Sequence, residues 1–593
     1  MKTFPLIRVK WSNEHSMAAV LLVLVLYHLP QWLDKPSGIL SFLLLVAEGL
    51  LLDLSLNILR YHRMWCCVSA AVTAAMISVL SFGVPLGVRM LGVAIALLVG
   101  KHLWGGTGKN IINPAMIGLL FILIVYGIPY PFFPASFLLI PAAVLSLLFL
   151  KIRPFAGIGI ILGMMSALLI NGDFTLLNLL SYGVFFWGGI VLTDPVTVTS
   201  HPVAGSAAGF LVGFAALLYY PLSVSIIIGI LALNLFSSAV ESINDKNIGM
   251  QKSKLRIPKQ VPYLQDQSQM VDLTDDRLEL SPEEEIDKLE LSADEILSRI
   301  KNNEVFGMGG AAFSTYQKLM TVLTARESQK YLLINGVECD PGLIHDYWLL
   351  RKYPNEITKG IELLCKCINF SAVHLAVKDL DRLEFSNNIN THKVLDYYPI
   401  GAEKILIANV LKKQIEYNQI PAACGILVLN VQTIYAIYQA VARNKPVNTR
   451  FLTVANLKTK SAKVVRVRLG MKLREVMEAM YPGVINVFAG GGLMQSYLAE
   501  EEAVVDKNIN FIATSVFPNY KESPQCSKCG NCVRNCPVGL KVNLIADLVD
   551  QGKLSETKKY FAFECISCGS CSYLCLAGRN LSDRVKTAKE ATK

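Results

Sequence analysis

From Met17 to about Val240, apolar residues run in long stretches broken by short polar or Gly/Pro turns. Stretches of this length with few charges are the pattern of lipid-spanning helices. About ten are counted, beginning near Met17, Gly38, Cys66, Pro85, Ile111, Pro134, Phe155, Thr175, Val203 and Leu222, several of them near the lower length limit. The basic stretch Met1–Lys10 followed by an apolar run resembles a secretory signal, but no small-residue cleavage site follows, so the run is expected to be retained as a span. After Glu241 hydropathy collapses. Basic residues from Lys246 to Lys259 come first, then an acidic tract with Asp272, Asp275, Asp276, Glu283, Glu284 and Glu285. A globular pattern resumes at Ser292-Ala-Asp-Glu295, which reads as a capping box ahead of the apolar Ile296, Leu297 and Ile300. Lys330–Asn335 then reads as a buried strand.

Composition agrees with a membrane half. Of 593 residues, 53% are hydrophobic and only 17% charged, far from the balance of soluble chains. The net charge of +10 would suit nucleic acid, but no basic stripe interleaved with aromatics is present, and nucleic acid is excluded as a partner. An even number of spans puts both ends on one side, together with Arg8 and Lys10, Arg60 and Arg63, Lys101 and Lys109, and Lys151 and Arg153. The opposite loops carry little beyond Lys35 and Arg89. The positive-inside bias therefore predicts a multi-pass protein of the inner membrane with both termini cytoplasmic. The basic part of the charged stretch suits anionic headgroups, and the acidic part reads as a solvated linker.

Eight of the fourteen cysteines form two runs, Cys526-x2-Cys529-x2-Cys532-x3-Cys536-Pro537 and Cys565-x2-Cys568-x2-Cys571-x3-Cys575. This spacing wraps [4Fe-4S] cubanes, with three cysteines of each run on one cluster and the fourth reaching across to the other, so two clusters are expected. Structural zinc prefers four ligands from two pairs, and a disulfide framework belongs to small secreted chains. Leu576 stands where a second proline would be. The other cysteines, at 66, 67, 339, 365, 367 and 424, have no ligand spacing and read mostly as buried or reduced thiols.

Three further segments carry candidate chemistry. Gly307-Met-Gly-Gly-Ala-Ala-Phe-Ser-Thr315, with Lys318 soon after, places glycines ahead of a helix, where backbone N–H groups can face a phosphate. The strand to Asn335 ends in Gly-Val-Glu338-Cys-Asp340-Pro341, at the end of a strand where open α/β sheets bind ligands, though a plain turn reads equally well. Within the apolar half, Lys101–Gly118 (KHLWGGTGKNIINPAMIG) and Thr193–Pro202 (TDPVTVTSHP) break the helical pattern. Such backbone at membrane depth lines a cavity or is buried in protein, so each is an ordinary cytoplasmic loop or a cofactor or ion site. Asn110, Asn113 and Asp194 are the candidate contacts there, although Asp194 beside Pro195 can equally cap a turn. Glu48 and Asp53 within the second span invite an ion-pathway reading, or Asp53 pairs within the bundle or near Arg60.

The pair GGxGxNxxNPAMxG and TDPV resembles the membrane D subunit of Rnf-type electron transport complexes and its relative, the B subunit of the sodium-pumping NADH:quinone reductase. That resemblance covers most of residues 1–250 and implies bound flavin. The family's Ser-Gly-Ala-Thr site for covalent FMN is missing, and covalent FMN is not predicted. Residues 290–580 resemble the C subunit of the same complexes, itself similar to the NADH-binding flavoprotein subunit of respiratory complex I. The likeness runs through the Gly-rich loop, Tyr398-Pro-Ile-Gly401-Ala-Glu403-Lys404, Cys424–Thr433 and Ala489-Gly-Gly-Gly492 to the cysteines. It implies FMN contacts at Gly307, Gly309, Gly310, Lys318, Asn335 and Glu338, a nucleotide-side role for Glu403, and NAD(H) as a candidate substrate. Ala312 and Ser314 replace a family glycine and proline.

The expected fold is multi-domain: a polytopic α-helical membrane bundle of about ten spans at 1–245, a charged linker at 246–291, an α/β flavin/nucleotide-binding-like domain at 292–515, and an α-helical ferredoxin-like two-[4Fe-4S] domain with tail at 516–593. The expected function is electron transfer between cytoplasmic NADH or ferredoxin and a membrane flavin or partner, alongside other Rnf-like subunits and with Na+ or H+ coupling implied by the family. A cluster-only relay with a degenerate nucleotide site, and an ion or solute transporter with a redox-sensing domain, are the alternatives.

Overall fold

The computed structural model describes residues 5–6, 8, 12–61, 68–104, 106, 108, 110–128, 132–199, 201–218, 222–243, 255–261, 270–274, 291–379, 385, 388–416, 419–515, 522–523 and 526–592. Lys10, Arg63, Cys66, Cys67, Lys109, residues 246–254 and the acidic tract from Asp275 lie outside the described residues.

Each apolar run yields helix: α1 (Asn13–Asp34), α2 (Gly38–Tyr61), α3 (Val68–Leu80), α4 (Leu86–Ile95), α5 (Pro114–Val125), α6 (Ile140–Leu147), α7 (Pro154–Ile170), α8 (Leu176–Ser181), α9 (Val184–Gly189), α10 (Pro202–Leu218) and α11 (Leu222–Ile243). Among the described residues, 3 helices are long and apolar enough to cross a bilayer, Glu14–Asp34, Gly38–Leu59 and Ser223–Val240. The rest are shorter. The run from Thr175 is split into α8 and α9 at Gly183, whose φ of +69° interrupts the helix. Helices α7 and α10 approach so closely that a Cβ on Gly159 would stand 2.3 Å from the Ser206 carbonyl oxygen, and one on Gly209 2.3 Å from that of Ala156. Small residues at i, i+4 spacing permit this packing where lipid supplies no hydrophobic drive between helices. Asp53, on α2, is fully buried and meets Lys101 Nζ at 2.8 Å and His102 Nε2 at 2.9 Å, both on the π-helical turn Ala96–His102 that extends α4.

The soluble part adds β1 (Val271–Asp272), α12 (Ala293–Asn302), α13 (Thr315–Leu323), β2 (Tyr331–Asn335), α14 (His345–Lys352), α15 (Pro354–Cys367), β3 (Ala372–Val377), β4 (Ile389–Lys393), α16 (Glu403–Val410), β5 (Ile426–Asn430), α17 (Val431–Arg443), β6 (Thr449–Asn456), β7 (Ser461–Arg468), α18 (Leu473–Met480), β8 (Phe488–Gly490), β9 (Ser496–Leu498) and β10 (Phe511–Thr514). The capping box read from Ser292 and Glu295 forms and starts α12. Strands β4-β3-β2-β5 make a parallel sheet, and β1-β7-β6-β10-β8-β9 a mixed one. In the parallel sheet the chain runs from β2 outward to β3 and β4, then returns to place β5 on the other flank of β2. The crevice beyond the ends of β2 and β5 is thus a topological switch point, where such sheets bind ligands.

The described parts of the charged stretch do not trail free. Residues 255–261 pack on the α/β part, with Val261 buried in its core and the Leu255 carbonyl accepting from Tyr398 N. Asp272, in β1, pairs with Arg466. Backbone pairing and apolar burial outweigh the local charge that marks this stretch as a linker.

The C-terminal part holds α19 (Asn531–Arg534), α20 (Val542–Asp550), α21 (Ser570–Tyr573) and α22 (Leu581–Thr592) around a small core that includes Cys532, Cys536, Ile545 and Val585. Residues from ahead of α1 reach across to it and to the α/β part. Leu6 N donates to the Leu493 carbonyl, and Arg8 Nη1 donates to the carbonyls of Ser572 and Arg579, each at 3.1 Å.

Candidate functional site: a cleft, paired cysteine loops and a membrane contact

The Gly-rich loop bends into the switch-point crevice because its backbone is held from below. Met308 N donates to Thr433 Oγ1 at 2.9 Å, and the buried Arg450 donates from Nη2 to the Met308 carbonyl at 3.3 Å. Ser314 is the N-cap of α13, accepting from Gln317 N, so the serine that replaces a family proline serves the helix start. Ala312 adopts φ +52°, the left-handed region where glycine is at ease. Ala311 and Phe313, its neighbours, are the ones that line the cleft.

Gly307, Gly309, Gly310, Lys318, Asn335, Glu338 and Glu403 all line one cleft of about 1780 Å³. Asn335 and Asn430 are register partners at the ends of β2 and β5. Lys318 Nζ donates to Glu403 Oε1 and to the Val428 carbonyl, both at 2.7 Å. Glu338 accepts from Asp346 N at 2.9 Å, and Asn430 Nδ2 donates to Asp346 Oδ2 at 2.7 Å. Burial and then the neighbouring Glu338 carboxylate push the Asp346 carboxyl up to about 8. Burial raises Glu338 as well, opposed by Lys259, whose ammonium stands 3.9 Å away and is itself pushed down by burial. Lys259, read from sequence as suited to lipid headgroups, is thus an inward-facing partner of this acidic pair. Asp346 and Arg450 carry no motif; Asp346 is revealed by its place in the cleft wall and Arg450 by its buried bond behind the Gly-rich loop.

A flavin nucleotide fits these residues. The Gly loop and the N-terminus of α13 present backbone donors to a phosphate. Glu338 Oε2 and Asp346 Oδ1 are buried without a hydrogen-bond donor, which a ring N–H or ribose hydroxyl would supply.

Cys565 and Cys568 line the same cleft. Tyr398 Oη donates to the Cys568 carbonyl at 2.7 Å, so the second cysteine run forms part of its wall. The two runs share one backbone pattern: Lys528 and Ser567 have φ +49° and +54°, Gly530 and Gly569 have +72° and +73°. In each, the residue two after the first cysteine donates its N–H to that sulfur at 3.3 Å. Pro537 and Leu576 occupy matching turns closed by Gly539 N to Cys536 O and Gly578 N to Cys575 O, at 3.1 and 3.0 Å. The missing proline therefore leaves the turn unchanged.

Cys526, Cys529, Cys532 and Cys575 line one small cavity. Cys536 lies within electrostatic reach of Cys565 and Cys568 instead. Burial pushes Cys565 up to about 11 and Cys536 up to about 12, with thiolate repulsion adding to both. Burial and mutual repulsion favour the protonated thiols, and a bound metal cation would offset both.

The membrane candidates lie elsewhere, beneath the first cysteine run. Asn113 caps α5 by accepting from Ala115 N at 3.0 Å, and Asn110 Nδ2 donates to the Ile112 carbonyl at 3.3 Å. Asp194 accepts from Val196 N and Thr197 Oγ1 at 3.0 and 2.8 Å. Asn234, on α11, joins the two broken segments, accepting from Asn113 N at 2.9 Å and donating to the Thr197 carbonyl at 3.2 Å. Its signal in sequence is one amide amid apolar neighbours.

With this geometry in place, residues 1–137 match the NQR2, RnfD, RnfE family, residues 300–439 the Nuo51 FMN-binding domain and residues 519–576 a 4Fe-4S dicluster domain. The first of these ends before the segment at Thr193. The class these matches define is one of parts: an NQR2/RnfD/RnfE-type segment, an FMN-binding domain and a 4Fe-4S dicluster domain, which support FMN and [4Fe-4S] clusters as cofactors. More narrowly, the chain is similar to an Rnf D-type membrane subunit fused ahead of a C-type subunit. It is 29% identical over 265 residues to the C subunit of the ion-translocating oxidoreductase complex of Haemophilus influenzae (strain PittEE), spanning 42% of this chain and 40% of that one. It is 28% identical over 320 residues to the C subunit of the Na(+)-translocating ferredoxin:NAD(+) oxidoreductase complex of Acetobacterium woodii, 51% of this chain and 70% of that one. With the C subunit of the proton-translocating ferredoxin:NAD(+) oxidoreductase complex of Clostridium ljungdahlii the identity is 26% over 285 residues, 46% and 62% of the two chains. The chain thus spans about two fifths of the length of the Haemophilus relative.

Proposed function

We propose that this chain is an electron-transfer subunit of an Rnf-like complex, passing electrons between cytoplasmic NADH or ferredoxin and a flavin or partner in the membrane through two [4Fe-4S] clusters. The observation that carries it is the continuity of one wall: the cleft holding Gly307, Lys318 and Glu338 is also lined by Cys565 and Cys568. In this reading Gly307, Gly309 and Gly310 give an FMN phosphate its backbone donors, with Lys318 as the cation. Asn335, Glu338 and Asp346 orient the ring and ribose, and Glu403 faces the nucleotide. Cys526, Cys529, Cys532 and Cys575 hold one cluster; Cys536, Cys565, Cys568 and Cys571 hold the other. The bound cofactors supply the exchange of electron pairs for single electrons, while the protein fixes their spacing and excludes water.

The proposed domains are 1–245, 246–291, 292–515 and 516–593. About ten spans with both termini cytoplasmic are proposed for the membrane half, supported by a helix at each apolar run and by the one-sided Lys and Arg distribution. Coupling to Na+ or H+ is proposed from the names of the relatives. Anaerobically purified protein is expected to hold about eight irons per chain with acid-releasable FMN, and NADH is expected to bleach the clusters. Flavin-free protein whose clusters ignore NADH would instead leave a cluster-only relay.

A further inference from the structure

The end of the relay nearest the membrane is marked by an unusually tight contact. Gly108, in the first broken segment, has φ +83°, and a Cβ there would stand 1.7 Å from the Cys526 carbonyl oxygen. The cysteine loop therefore rests directly on the membrane half's backbone. Beside it the buried Arg153, at the start of α7, donates from Nη2 to the Pro195 carbonyl at 3.1 Å and to the Lys528 carbonyl at 3.5 Å. One guanidinium so links the second broken segment to the first cysteine loop. Asn234 ties the two broken segments to each other beneath this point. Ahead of α1, Arg8 holds the Ser572 and Arg579 carbonyls of the iron–sulfur part, while Leu6 donates to the Leu493 carbonyl of the α/β part.

We propose that the contact of Gly108 and Arg153 with the Cys526–Gly530 loop is the exit of the relay, with Arg153 as its positioning residue. The inference rests on the proposed function and gives it an order: cleft, then the Cys536/565/568/571 cluster, then the Cys526/529/532/575 cluster, then the membrane segments around Asn113 and Asp194. At the contact one electron leaves the reduced membrane-side cluster, which is oxidised, and enters an oxidised flavin-class acceptor of the membrane half, which is reduced. No bond forms or breaks, and reverse flow takes the same path.

The test uses native membrane vesicles holding the full chain with its partners, and freeze-quench EPR of both cluster signals. A pulse of NADH, or in a parallel arm a light pulse with deazaflavin, loads the clusters, and their decay is followed. In Arg153→Gln the clusters are expected to load at the wild-type rate and keep their potentials but to drain about tenfold more slowly, as displacements near 1 Å cost in positioned transfers. Arg153→Lys is expected to recover part of the rate, and Gly108→Ala to act in the same direction as Arg153→Gln. If Gly108→Ala loses iron, Arg153→Gln decides. Unchanged drainage in Arg153→Gln overturns the exit assignment. Loading by light but not by NADH counts against the proposed function and leaves the exit step measurable.

Discussion

The crossed arrangement of the cysteines yields a sharp prediction, because the fourth cysteine of each run sits with the other run's three. Replacing Cys575 by Ala removes a wall of the cavity lined by Cys526, Cys529 and Cys532. Cys575 is not itself among the residues that line the cleft. One buried thiol replaced by a methyl is a small change in packing, while a cubane stripped of one thiolate in an apolar pocket keeps only three of its ligands. The expected result is a fall from about eight irons per chain to about four, with the surviving EPR signal still reduced by NADH and the path to the membrane cut. Cys536→Ala is expected to give the mirror image: the same iron count, a surviving cluster on the membrane side, and no reduction by NADH, since the first station after the cleft is gone. Both variants are read by iron and sulfide analysis and by EPR during an anaerobic NADH titration. If the Cys575→Ala protein keeps the membrane-side signal and loses the one that NADH reduces first, each run binds its own cluster and the crossed ligation is refuted.

Other perturbations test neighbouring parts. Burial, with the Glu338 carboxylate beside it, pushes Asp346 up to about 8 from an ordinary 3.8; the folded form then holds a proton the unfolded form has lost, so this group makes stability fall as pH rises between those values. Asp346→Asn is expected to flatten that fall, measured by hydrogen exchange across β2 and α14 at about pH 5 and about pH 8; an unchanged slope refutes the assignment. Ala312→Gly relieves a left-handed alanine and is expected to raise stability by roughly 0.5–1 kcal/mol while flavin retention holds; faster flavin loss would show that the Ala312 methyl supports the bound nucleotide. Asp53→Asn leaves the Lys101 ammonium buried without its carboxylate, and detergent-solubilised protein is expected to lose about 3–5 kcal/mol; an unshifted thermal midpoint would mean that the pair is not closed.

Much of this was legible because the signals are local. Ser292 and Glu295 lie three residues apart and close a box whatever the rest of the chain does. The apolar run that marks Tyr331–Asn335 as buried needs no partner strand to be read, and the cysteine spacings encode two loops of one shape. What escaped depends on distant residues. Asp53 finds its partners across 48 and 49 residues, and Lys259 reaches Glu338 across 79. No window on the sequence holds both members of such a pair, so composition pointed Lys259 toward lipid. Lengths of spans were the other weak point: a glycine such as Gly183, or the π turn at Ala96–His102, divides or reshapes a run whose hydropathy is continuous.

The grip of Leu6 and Arg8 on residues 493, 572 and 579 also bears on how the molecule is made. These partners are separated by up to 571 positions, while membrane helices are inserted as they leave the ribosome, early segments first. The segment around Arg8 must therefore wait until residues 572–579 have been translated and folded. Closing so large a loop comes late and slowly, which makes Arg8 a reporter of finished assembly: protease protection around it should develop only after metal has been inserted.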